Sequence, residues 1–285
     1  FSFIETQKSR FEIINSLFKI KKNSRILFQP SISFPAFLRD ILIIIIVRIK
    51  SKYIYFLSCV DIGYKNPILK YQIFRYLFFG NNKIIATSKF TKNLKGIIRI
   101  PPYFEKGKLN PFIINNINLP ISALYLGYLN EMKGWNKFNH LINNSISPIK
   151  AIAIGTYPSE ASILKSINIE ILKGRNTLEI EKSLKTISNK YFPILIFLSN
   201  EDFSPLIILE SGYWGIPIAC LNKSKSHNIL RRFLPEKCYT VIDKIEQVLN
   251  LKKELITSKN NMWSYVNSLS EDKFSNAIIK EFINK

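Results

Sequence analysis

From residue 123 onward, short apolar runs alternate along the chain with segments in which apolar residues recur at helical spacing. Runs of about four to eight residues that are apolar throughout predict buried strands, and helical spacing predicts amphipathic helices. The predicted strands are ALYLG (123–127), IKAIAIG (149–155), INIEILKG (167–174), FPILIFLS (192–199), IPIACL (216–221) and CYTVI (238–242). Apolar strands separated by single helices predict a parallel sheet covered on both faces, which is a Rossmann-like, doubly wound domain.

The helices predicted between these strands have end signals in the sequence. They are WNKFNHLINN (135–144), PSEASILKS (158–166), NTLEIEKSLKTISN (176–189), SPLIILESGYW (204–214) and SHNILRRFL (226–234). Asn176 with Glu179 three residues later predicts a capping box. Ser204 predicts an N-cap, Pro205 a first helical residue and Gly215 a helix stop.

The first hundred residues show the same alternation less fully. SRILFQP (24–30), YIYFLSC (53–59) and KIIATS (83–88) predict strands, and FEIINSLFKI (11–20), FLRDILIIIIVRI (37–49) and NPILKYQIFRYLFF (66–79) predict helices. The Pro-bearing stretch over 101–120 has no clean period and predicts an interdomain linker. We therefore expect a partial N-terminal Rossmann-like domain over 1–105, a linker over 106–121, a C-terminal Rossmann-like domain over 122–258 and closing helices over 259–285.

Composition narrows the class of protein. The 285 residues are 47% hydrophobic, which is typical of a globular protein. The longest apolar run, 41–47, is far shorter than the roughly 18 residues that span a bilayer, and it is flanked by Arg39, Asp40 and Arg48, so it predicts a buried core helix. The sequence begins with Phe rather than Met, and we expect the chain to be a fragment of a longer protein.

The cysteines and histidines do not indicate a metal site. Cys59, Cys220 and Cys238 are far apart, no CxxC occurs, and the chain has two histidines. We expect buried thiols in a reducing compartment and no zinc or other metal.

The formal charge of +21 has two interpretations. One is attraction to nucleic acid or to an anionic membrane surface, and the other is a composition that overuses Lys, Asn and Ile throughout. The lysines are dispersed, and no RNP, zinc-finger or RGG pattern accompanies them. We therefore expect no nucleic-acid partner. We expect a cytoplasmic protein with peripheral contact to an anionic membrane. The positive net charge also suits a phosphate-bearing substrate.

Candidate chemistry lies in three loops that follow predicted strands, because ligands of doubly wound sheets bind outside the carboxyl ends of the strands. The loops are GYLNEMKG (127–134), GTYPSE (155–160) and SNEDFSP (199–205). Lys133 can place an ammonium on a phosphate, although a solvated loop lysine is the alternative. Gly127 and Gly155 permit close approach of a ligand, and the single glycine of the second loop does not make a dinucleotide fingerprint.

The third loop and the helix after it carry three carboxylates. Glu201 and Asp202 can accept hydrogen bonds from sugar hydroxyls, and Ser204 with the neighbouring amides begins the helix. Glu210 lies in the second turn, where side chains lean toward the helix N-terminus and hence toward the ligand. Paired ribose hydroxyls would offset its desolvation. An exposed helix face or a structural ion pair is the alternative for Glu210.

Together these loops resemble the C-terminal domain of GT-B-fold glycosyltransferases of the group 1 type, also called glycosyltransferase family four. Those enzymes are retaining and use nucleotide-sugar donors. Their domain opens with a strand, Gly-Arg-Leu and then Lys-Gly, matched here by LYLGYLNEMKG (124–134), and continues with a glycine turn, matched by IAIGTYPSE (152–160). Their acidic residue, seven residues, Glu-Ala and Gly-x-Pro-Val are matched by EDFSPLIILESGYWGIPIA (201–219). IIATS (84–88) with RIPPYF (99–104) is similar to the passage before the family's linker.

The resemblance implies a GT-B fold, in which two Rossmann-like domains face each other across a cleft, with the first domain here incomplete. It implies transfer of a hexosyl unit from a nucleotide diphosphate sugar to a saccharide or lipid-linked acceptor, in surface polysaccharide or glycolipid synthesis. Lys133 would neutralise the donor diphosphate, Glu210 would bind the ribose, and Glu201 or Asp202 the transferred sugar. The amides from Phe203 to Leu206 would hold phosphate or sugar oxygens, and no cofactor or metal would be needed.

The chain departs from the family at defined positions. Tyr128 stands where the family has its arginine, so one of two diphosphate cations is missing, and Ser211 replaces the alanine after the glutamate. Asp202 has the family's spacing to Glu210 and Glu201 has its residue type, so both remain candidates for the sugar contact.

In the first half, Asp61 is a candidate acceptor-side residue, with a plain loop aspartate as its alternative. Two other functions remain open for the whole chain. They are an inactive relative that binds sugar nucleotides, and a basic membrane- or nucleic-acid-binding protein on a Rossmann-like scaffold.

Overall fold

The structure is a computed structural model that divides into two compact units, Phe1–Pro101 with Asn276–Lys285 and Pro102–Ser275. It describes residues 18–22, 25–28, 42–49, 53–58, 83–86, 97–99, 102, 104, 109, 111, 116–156, 168–200 and 205–283. The domain bounds expected from the sequence stay predictions.

The first unit contains a four-stranded sheet in which all strands are parallel. Its strands are β1 (Arg25–Phe28), β2 (Tyr53–Ser58), β3 (Lys83–Ala86) and β4 (Ile97–Arg99), in the order β1-β2-β3-β4. The sequence predicted the first three and missed β4. The predicted helix over 66–79 and all but the last residues of the predicted helix over 11–20 lie outside the described residues.

Residues 42–49 form a helix, α1, in the predicted position. Ile43, Ile44 and Val47 are buried as expected, but Leu42 and Ile49 are 63% and 78% exposed. The expectation of a fully buried core helix is therefore wrong for one face, because a helix that is apolar all round gives no periodicity to show which face is covered.

The second unit contains a six-stranded parallel sheet. Its strands are β5 (Ile121–Leu126), β6 (Lys150–Gly155), β7 (Ile169–Lys173), β8 (Phe192–Ile196), β9 (Ile218–Leu221) and β10 (Thr240–Ile242). Their spatial order is β10-β9-β8-β5-β6-β7, which confirms the predicted doubly wound sheet. The chain order reverses between β5 and β8, so the topological switch point lies between these two strands.

Helices cover this sheet and close its core. They are α2 (Trp135–Asn143), α3 (Thr177–Ser188), α4 (Leu206–Tyr213), α5 (Lys225–Phe233) and α6 (Lys252–Ser268). A last helix, α7 (Glu271–Ile283), begins in this unit and belongs to the first unit from Asn276 onward. Every residue of β8 is buried, and Phe138 and Trp214 are fully buried between helices and sheet. The predicted helix over 158–166 lies outside the described residues.

The N-terminus of α3 has the capping interaction that the sequence predicts. The side chain of Asn176 accepts a hydrogen bond of 3.0 Å from the amide of Glu179, and the Glu179 carboxylate accepts one of 2.9 Å from the amide of Arg175. This is the predicted reciprocal cap, with the second bond displaced by one residue toward the N-terminus.

The ends of α4 are set by a proline and a glycine. Pro205 occupies the N-cap position and not the predicted first helical position, while Ser204 lies outside the described residues. At the other end Gly215 has φ +74° and donates to the carbonyl of Gly212, and Ile216 donates to that of Ser211. This pair of bonds is a Schellman motif, so the predicted helix stop is confirmed.

Two further observations concern the described residues alone. No helix among them has the length and apolar content to cross a bilayer. Cys220 and Cys238 are buried and unpaired, and burial raises the pKa of their thiols to about 12 and about 11, so both are protonated at neutral pH.

Candidate functional site

The loops that follow β5 and β8 meet at the switch point of the second sheet. The amide of Asn200, just beyond β8, donates 2.9 Å to the carbonyl of Met132 in the loop after β5. Its side-chain amide donates 2.9 Å to the carbonyl of Glu131, and the Ser199 hydroxyl donates 3.3 Å to that of Met132. These bonds fix the loop that leads into 201–204 against the loop that carries Lys133.

The loop after β5 is also held from below by a tyrosine of the strand itself. The Tyr125 hydroxyl donates 2.6 Å to the carbonyl of Tyr128 and has a longer contact of 3.2 Å to that of Lys133. Burial raises the pKa of Tyr125, so its hydroxyl remains a donor across the physiological range. The buried side chain of Tyr125 therefore contacts the backbone at both candidate site residues of this loop, Tyr128 and Lys133.

The Lys133 backbone is fixed a second time, by Asn130. The Lys133 amide donates 2.9 Å to the side-chain oxygen of Asn130, and the Asn130 carbonyl accepts from the amide of Trp135 at the start of α2. Lys133 itself is half-buried. Hydrogen bonds thus hold the backbone of Lys133 in place, as a preformed phosphate contact requires.

Gly127 and Gly155 lie in contact at the ends of neighbouring strands. A Cβ on Gly155 would lie 1.8 Å from the carbonyl oxygen of Gly127, so only glycine fits there. Gly127 has φ +127°, and the space that its own Cβ would take is open. Gly155 therefore has a structural reason to be glycine, whereas the surface at Gly127 is open to a ligand.

Glu210 is a half-buried carboxylate on α4, the helix that follows β8. Burial raises its pKa above the ordinary range for a glutamate. Within the described part of the chain, its carboxylate has no hydrogen bond and no ion pair, so the structural ion pair considered for it is not found there. A carboxylate that bears this desolvation without a partner among the described residues is suited to accept hydrogen bonds from a ligand.

Six of the predicted site residues lie at or near the carboxyl edge of the second sheet. They are Gly127, Tyr128, Lys133, Gly155, Leu206 and Glu210. The remaining five, Asp61, Glu201, Asp202, Phe203 and Ser204, lie outside the described residues. The side chain of Tyr128, at the position of the family's arginine, is 58% exposed.

Sequence reasoning missed the residues that position the loops, namely Tyr125, Asn130 and Asn200. Asn200 had a detectable signal, since a polar side chain directly after a wholly apolar strand lies at the ligand edge of a parallel sheet. Tyr125 had none, because an aromatic residue inside an apolar strand is typical of a core.

The described residues contain no cluster of three His, Cys, Asp or Glu side chains that would hold a metal ion. The expectation of metal-free chemistry stays a prediction.

Comparison with known proteins identifies the fold. No protein-family model matches the sequence, and no curated protein sequence matches it. Among solved structures, HepE of Anabaena in complex with UDP matches with a TM-score of 0.65 and 12% identity, over 96% of this chain and 80% of that one.

Two other neighbours have the same fold. Sucrose-phosphate synthase of Thermosynechococcus elongatus matches with a TM-score of 0.62 and 11% identity, over 91% of this chain and 72% of that one. TarM matches with a TM-score of 0.56 and 12% identity over 84% of this chain, which spans only 52% of the TarM chain. These neighbours are GT-B glycosyltransferases, so the predicted GT-B fold is confirmed.

Proposed function

We propose that this protein is a retaining glycosyltransferase of the group 1, or family four, type. It transfers a hexosyl unit from a nucleotide diphosphate sugar to a saccharide or lipid-linked acceptor, in surface polysaccharide or glycolipid synthesis. The observation that carries the proposal is the switch point, where the loop with Lys133 is bonded to the residue that precedes Glu201 and Asp202. A GT-B fold and a neighbour solved with UDP and with UDP-glucose support a nucleotide sugar as the donor.

Each residue has a chemical role in this proposal. The Lys133 ammonium neutralises charge on the departing diphosphate, a task that a metal ion performs in other transferases. The Glu210 carboxylate accepts hydrogen bonds from two ribose hydroxyls, which offsets the desolvation that raises its pKa. Glu201 or Asp202 contacts the transferred sugar and stabilises positive charge as the bond to the leaving group breaks.

The backbone supplies the rest of the site. The amides of Phe203, Ser204 and Leu206 lead into the N-terminus of α4, where the N–H groups of the first turn and the helix dipole favour phosphate or sugar oxygens. The backbone of the loop after β5, fixed by Tyr125, holds Lys133 in place before the donor arrives. Preorganised groups of this kind cost no rearrangement during the reaction.

The proposed site is tested by thermal-shift measurements with UDP-, GDP- and ADP-sugars on the wild type and on Glu210→Ala and Lys133→Ala. We expect at least one nucleotide sugar to raise Tm, and both substitutions to reduce the shift. Lys190→Ala, an exposed lysine after α3, serves as the control and should leave the shift unchanged. A shift that survives both site substitutions would show that the donor binds elsewhere. Salt-sensitive binding to DNA or RNA, with no response to any nucleotide sugar, would instead identify a basic nucleic-acid-binding protein.

A sugar-nucleotide-binding protein without activity is the second candidate, and Tyr128 is the observation that favours it. Its exposed phenol stands where the resembled family has a cation, so the leaving diphosphate has one positive charge fewer. Release of nucleoside diphosphate from a bound nucleotide sugar separates the two candidates, because a binding protein would retain the donor intact.

We also propose that the protein contacts an anionic membrane at its surface and that one side of α1 makes this contact. Leu42, Ile45 and Ile49 are spaced to lie on one side of this helix and are 63%, 50% and 78% exposed. A net charge of +21 complements anionic lipid. We expect cosedimentation with vesicles that contain phosphatidylglycerol, and its loss in the triple variant L42S/I45S/I49S. Equal binding of this variant and of the wild type would exclude α1 as the contact.

A further inference from the structure

The indole of Trp214 is hydrogen bonded to a buried glutamate of a neighbouring helix. Its Nε1 donates 3.1 Å to the Oε1 oxygen of Glu181, which lies in α3, whereas Trp214 directly follows α4. Trp214 is fully buried, and Glu181 is only 3% exposed. The bond therefore joins two helices of the second unit inside its core.

The burial of Glu181 has a geometric consequence as well as an energetic one. Burying a carboxyl group is costly, and an apolar side chain of the same size would pack against the indole without that cost. A hydrogen bond has a narrow geometry, however, so it selects one orientation of the helix that carries the donor, whereas apolar contacts tolerate several. The bond to Glu181 thus defines the rotation of α4 about its own axis.

Helix α3 is anchored independently to the edge of the sheet where the candidate site lies. The Gly174 amide, just before this helix, donates 3.2 Å to the carbonyl of Gly155, which is in contact with Gly127. The side chain of Asn176 caps the helix, and Leu184 is fully buried. Because α3 is fixed by these contacts, it can act as a support for α4.

The opposite side of α4 is held by α6. A Cβ on Gly212 would lie 2.6 Å from the Cγ of Met262, so the two helices are in close contact there. Gly212 and Trp214 are two residues apart, and hence roughly 200° apart around the helix. The N-cap residue of α4 is Pro205, whose side chain cannot accept a hydrogen bond from the first turn. The C-terminal end of α4 therefore carries its side-chain anchor.

Glu210 lies on the same side of α4 as Trp214. Leu206, Glu210 and Trp214 follow one another at four-residue spacing and form one stripe along the helix. Exposure along this stripe falls from 50% at Leu206 to zero at Trp214, with Glu210 half-buried between them. The amide of Trp214 also donates 2.9 Å to the carbonyl of Glu210. A rotation of α4 that moved the indole away from Glu181 would turn the Glu210 carboxylate by the same angle.

We propose that Glu181 is a positioning residue of the donor site. By holding the indole of Trp214 it fixes the rotation of α4 and directs the Glu210 carboxylate at the ribose hydroxyls of the donor. This inference rests on the proposed function, since it assumes that Glu210 binds the ribose. It makes discrimination between ribose and deoxyribose depend on a hydrogen bond inside the core.

The test compares the affinities of the full chain for UDP and for 2′-deoxy-UDP by calorimetry. Loss of the 2′-hydroxyl removes one of the two hydrogen bonds to Glu210, so we expect the wild type to bind UDP about tenfold more tightly. Glu181→Met keeps the side-chain volume but removes the acceptor, and Trp214→Phe removes the donor. Both variants should reduce the preference for UDP to below about threefold, mainly through weaker binding of UDP itself.

Two control variants separate positioning from stability. Glu181→Gln retains an oxygen that can accept from the indole and should keep the preference for UDP. Leu184→Ala removes a fully buried side chain one turn further along α3, so it should lower Tm and still keep the preference. An undiminished preference in both Glu181→Met and Trp214→Phe would overturn the inference, and so would an equal loss of preference in Leu184→Ala. If Glu181→Met does not fold, Trp214→Phe decides.

Failure of the proposed function gives a different pattern. If the wild type binds UDP and 2′-deoxy-UDP equally, the ribose contact of Glu210 is wrong, and the positioning role is excluded with it. If the preference is present in the wild type and lost in Glu210→Ala but not in Glu181→Met or Trp214→Phe, the ribose contact is correct and only the positioning role is wrong. If GDP or ADP proves to be the ligand, its own 2′-deoxy form replaces 2′-deoxy-UDP.

Discussion

The carbonyl oxygen of Gly127 lies 1.8 Å from the point that a Cβ on Gly155 would occupy. The two glycines end neighbouring strands, and the amide of Gly127 donates 3.1 Å to the carbonyl of Ile154. The backbones of β5 and β6 therefore continue in contact past the last paired residues of the strands. The loop that carries Lys133 starts from this contact, so packing between two glycines sets where the loop begins.

Gly155→Ala should consequently destabilise the protein and weaken nucleotide binding together. The new methyl group meets backbone, which cannot rotate away, and we expect a loss of about 3 kcal/mol in the free energy of unfolding, measured with urea. Gly174→Ala is the matched control, because its Cβ would approach the side-chain atoms of Ile154 and Ile180 at 2.7 and 2.9 Å. Side chains can adjust, so this control should lose less stability and keep its nucleotide affinity. Equal losses in both variants would contradict the argument.

The strands of the second sheet were predictable because a parallel strand buried on both faces is apolar at every position. β8 is the clearest case, with all five residues buried. β4 was missed because three residues, Ile97–Arg99, are too few to show a period. The site was predictable as a set of strand-ending loops, since every parallel strand of a doubly wound sheet ends at the ligand edge.

The contacts within the site were not predictable from the sequence. The bond from Asn200 to the carbonyl of Met132 exists because β8 lies beside β5, although β6 and β7 come between them in the chain. Local patterning indicates strands but not which strands are neighbours. Tyr125 was missed for a related reason, because the carbonyl groups that its hydroxyl contacts come together only once the loop has folded.

Tyr125→Phe should weaken nucleotide binding clearly while it lowers the free energy of unfolding only modestly. The substitution removes only the hydroxyl that contacts the carbonyls of Tyr128 and Lys133. We expect a loss of about 1–2 kcal/mol in the free energy of unfolding. We also expect a clear fall in UDP affinity by calorimetry, because the backbone that holds Lys133 loses its anchor.

The control for that hydroxyl is Tyr191→Phe. Tyr191 is half-buried against the same core, and its hydroxyl has no hydrogen bond to the described residues. This variant should match the wild type in UDP affinity. If Tyr125→Phe also binds UDP like the wild type, the tyrosine stabilises the fold without positioning the loop.

Asn200→Ala should slow turnover without weakening the binding of nucleoside diphosphate. Asn200 joins the loop before Glu201 to the carbonyl of Glu131 and to the Lys137 ammonium. Its loss should displace the residues assigned to the transferred sugar, and we expect about a tenfold lower kcat for donor hydrolysis or transfer, because a small misplacement of a reacting group is costly. The affinity for UDP, which lacks the sugar, should stay within about twofold of the wild type.

A remote asparagine provides the comparison for Asn200. Asn144 follows the C-terminus of α2, and its side-chain amide donates 2.7 Å to the carbonyl of His140. Asn144→Ala removes a similar bond far from the carboxyl edge and should leave kcat unchanged. A parallel fall of kcat in both variants would point to general destabilisation.

Glu210→Gln should stabilise the nucleotide-free protein and weaken its binding of nucleotide. Burial raises the pKa of Glu210 in the folded protein above its value in the unfolded chain, ordinarily about 4.3. The folded state therefore holds its proton more tightly. The resulting stability is present below the unfolded pKa and is lost as pH rises through the folded pKa, so the wild type should lose stability upward from about pH 4. Glutamine has no such titration, and urea unfolding of the variant should lack this part of the pH dependence and give a higher free energy of unfolding at neutral pH.

The same substitution should weaken the binding of UDP although it stabilises the nucleotide-free protein. A carboxylate accepts both ribose hydroxyls, whereas the glutamine amide presents one acceptor and one donor, so UDP affinity should fall about tenfold by calorimetry. Glu254→Gln, an exposed glutamate in the first turn of α6, is the control and should leave UDP affinity unchanged. If Glu210→Gln raises the free energy of unfolding at neutral pH and leaves UDP affinity intact, the carboxylate destabilises the fold and does not bind the ribose. Another residue at the carboxyl edge of the second sheet would then make the ribose contact.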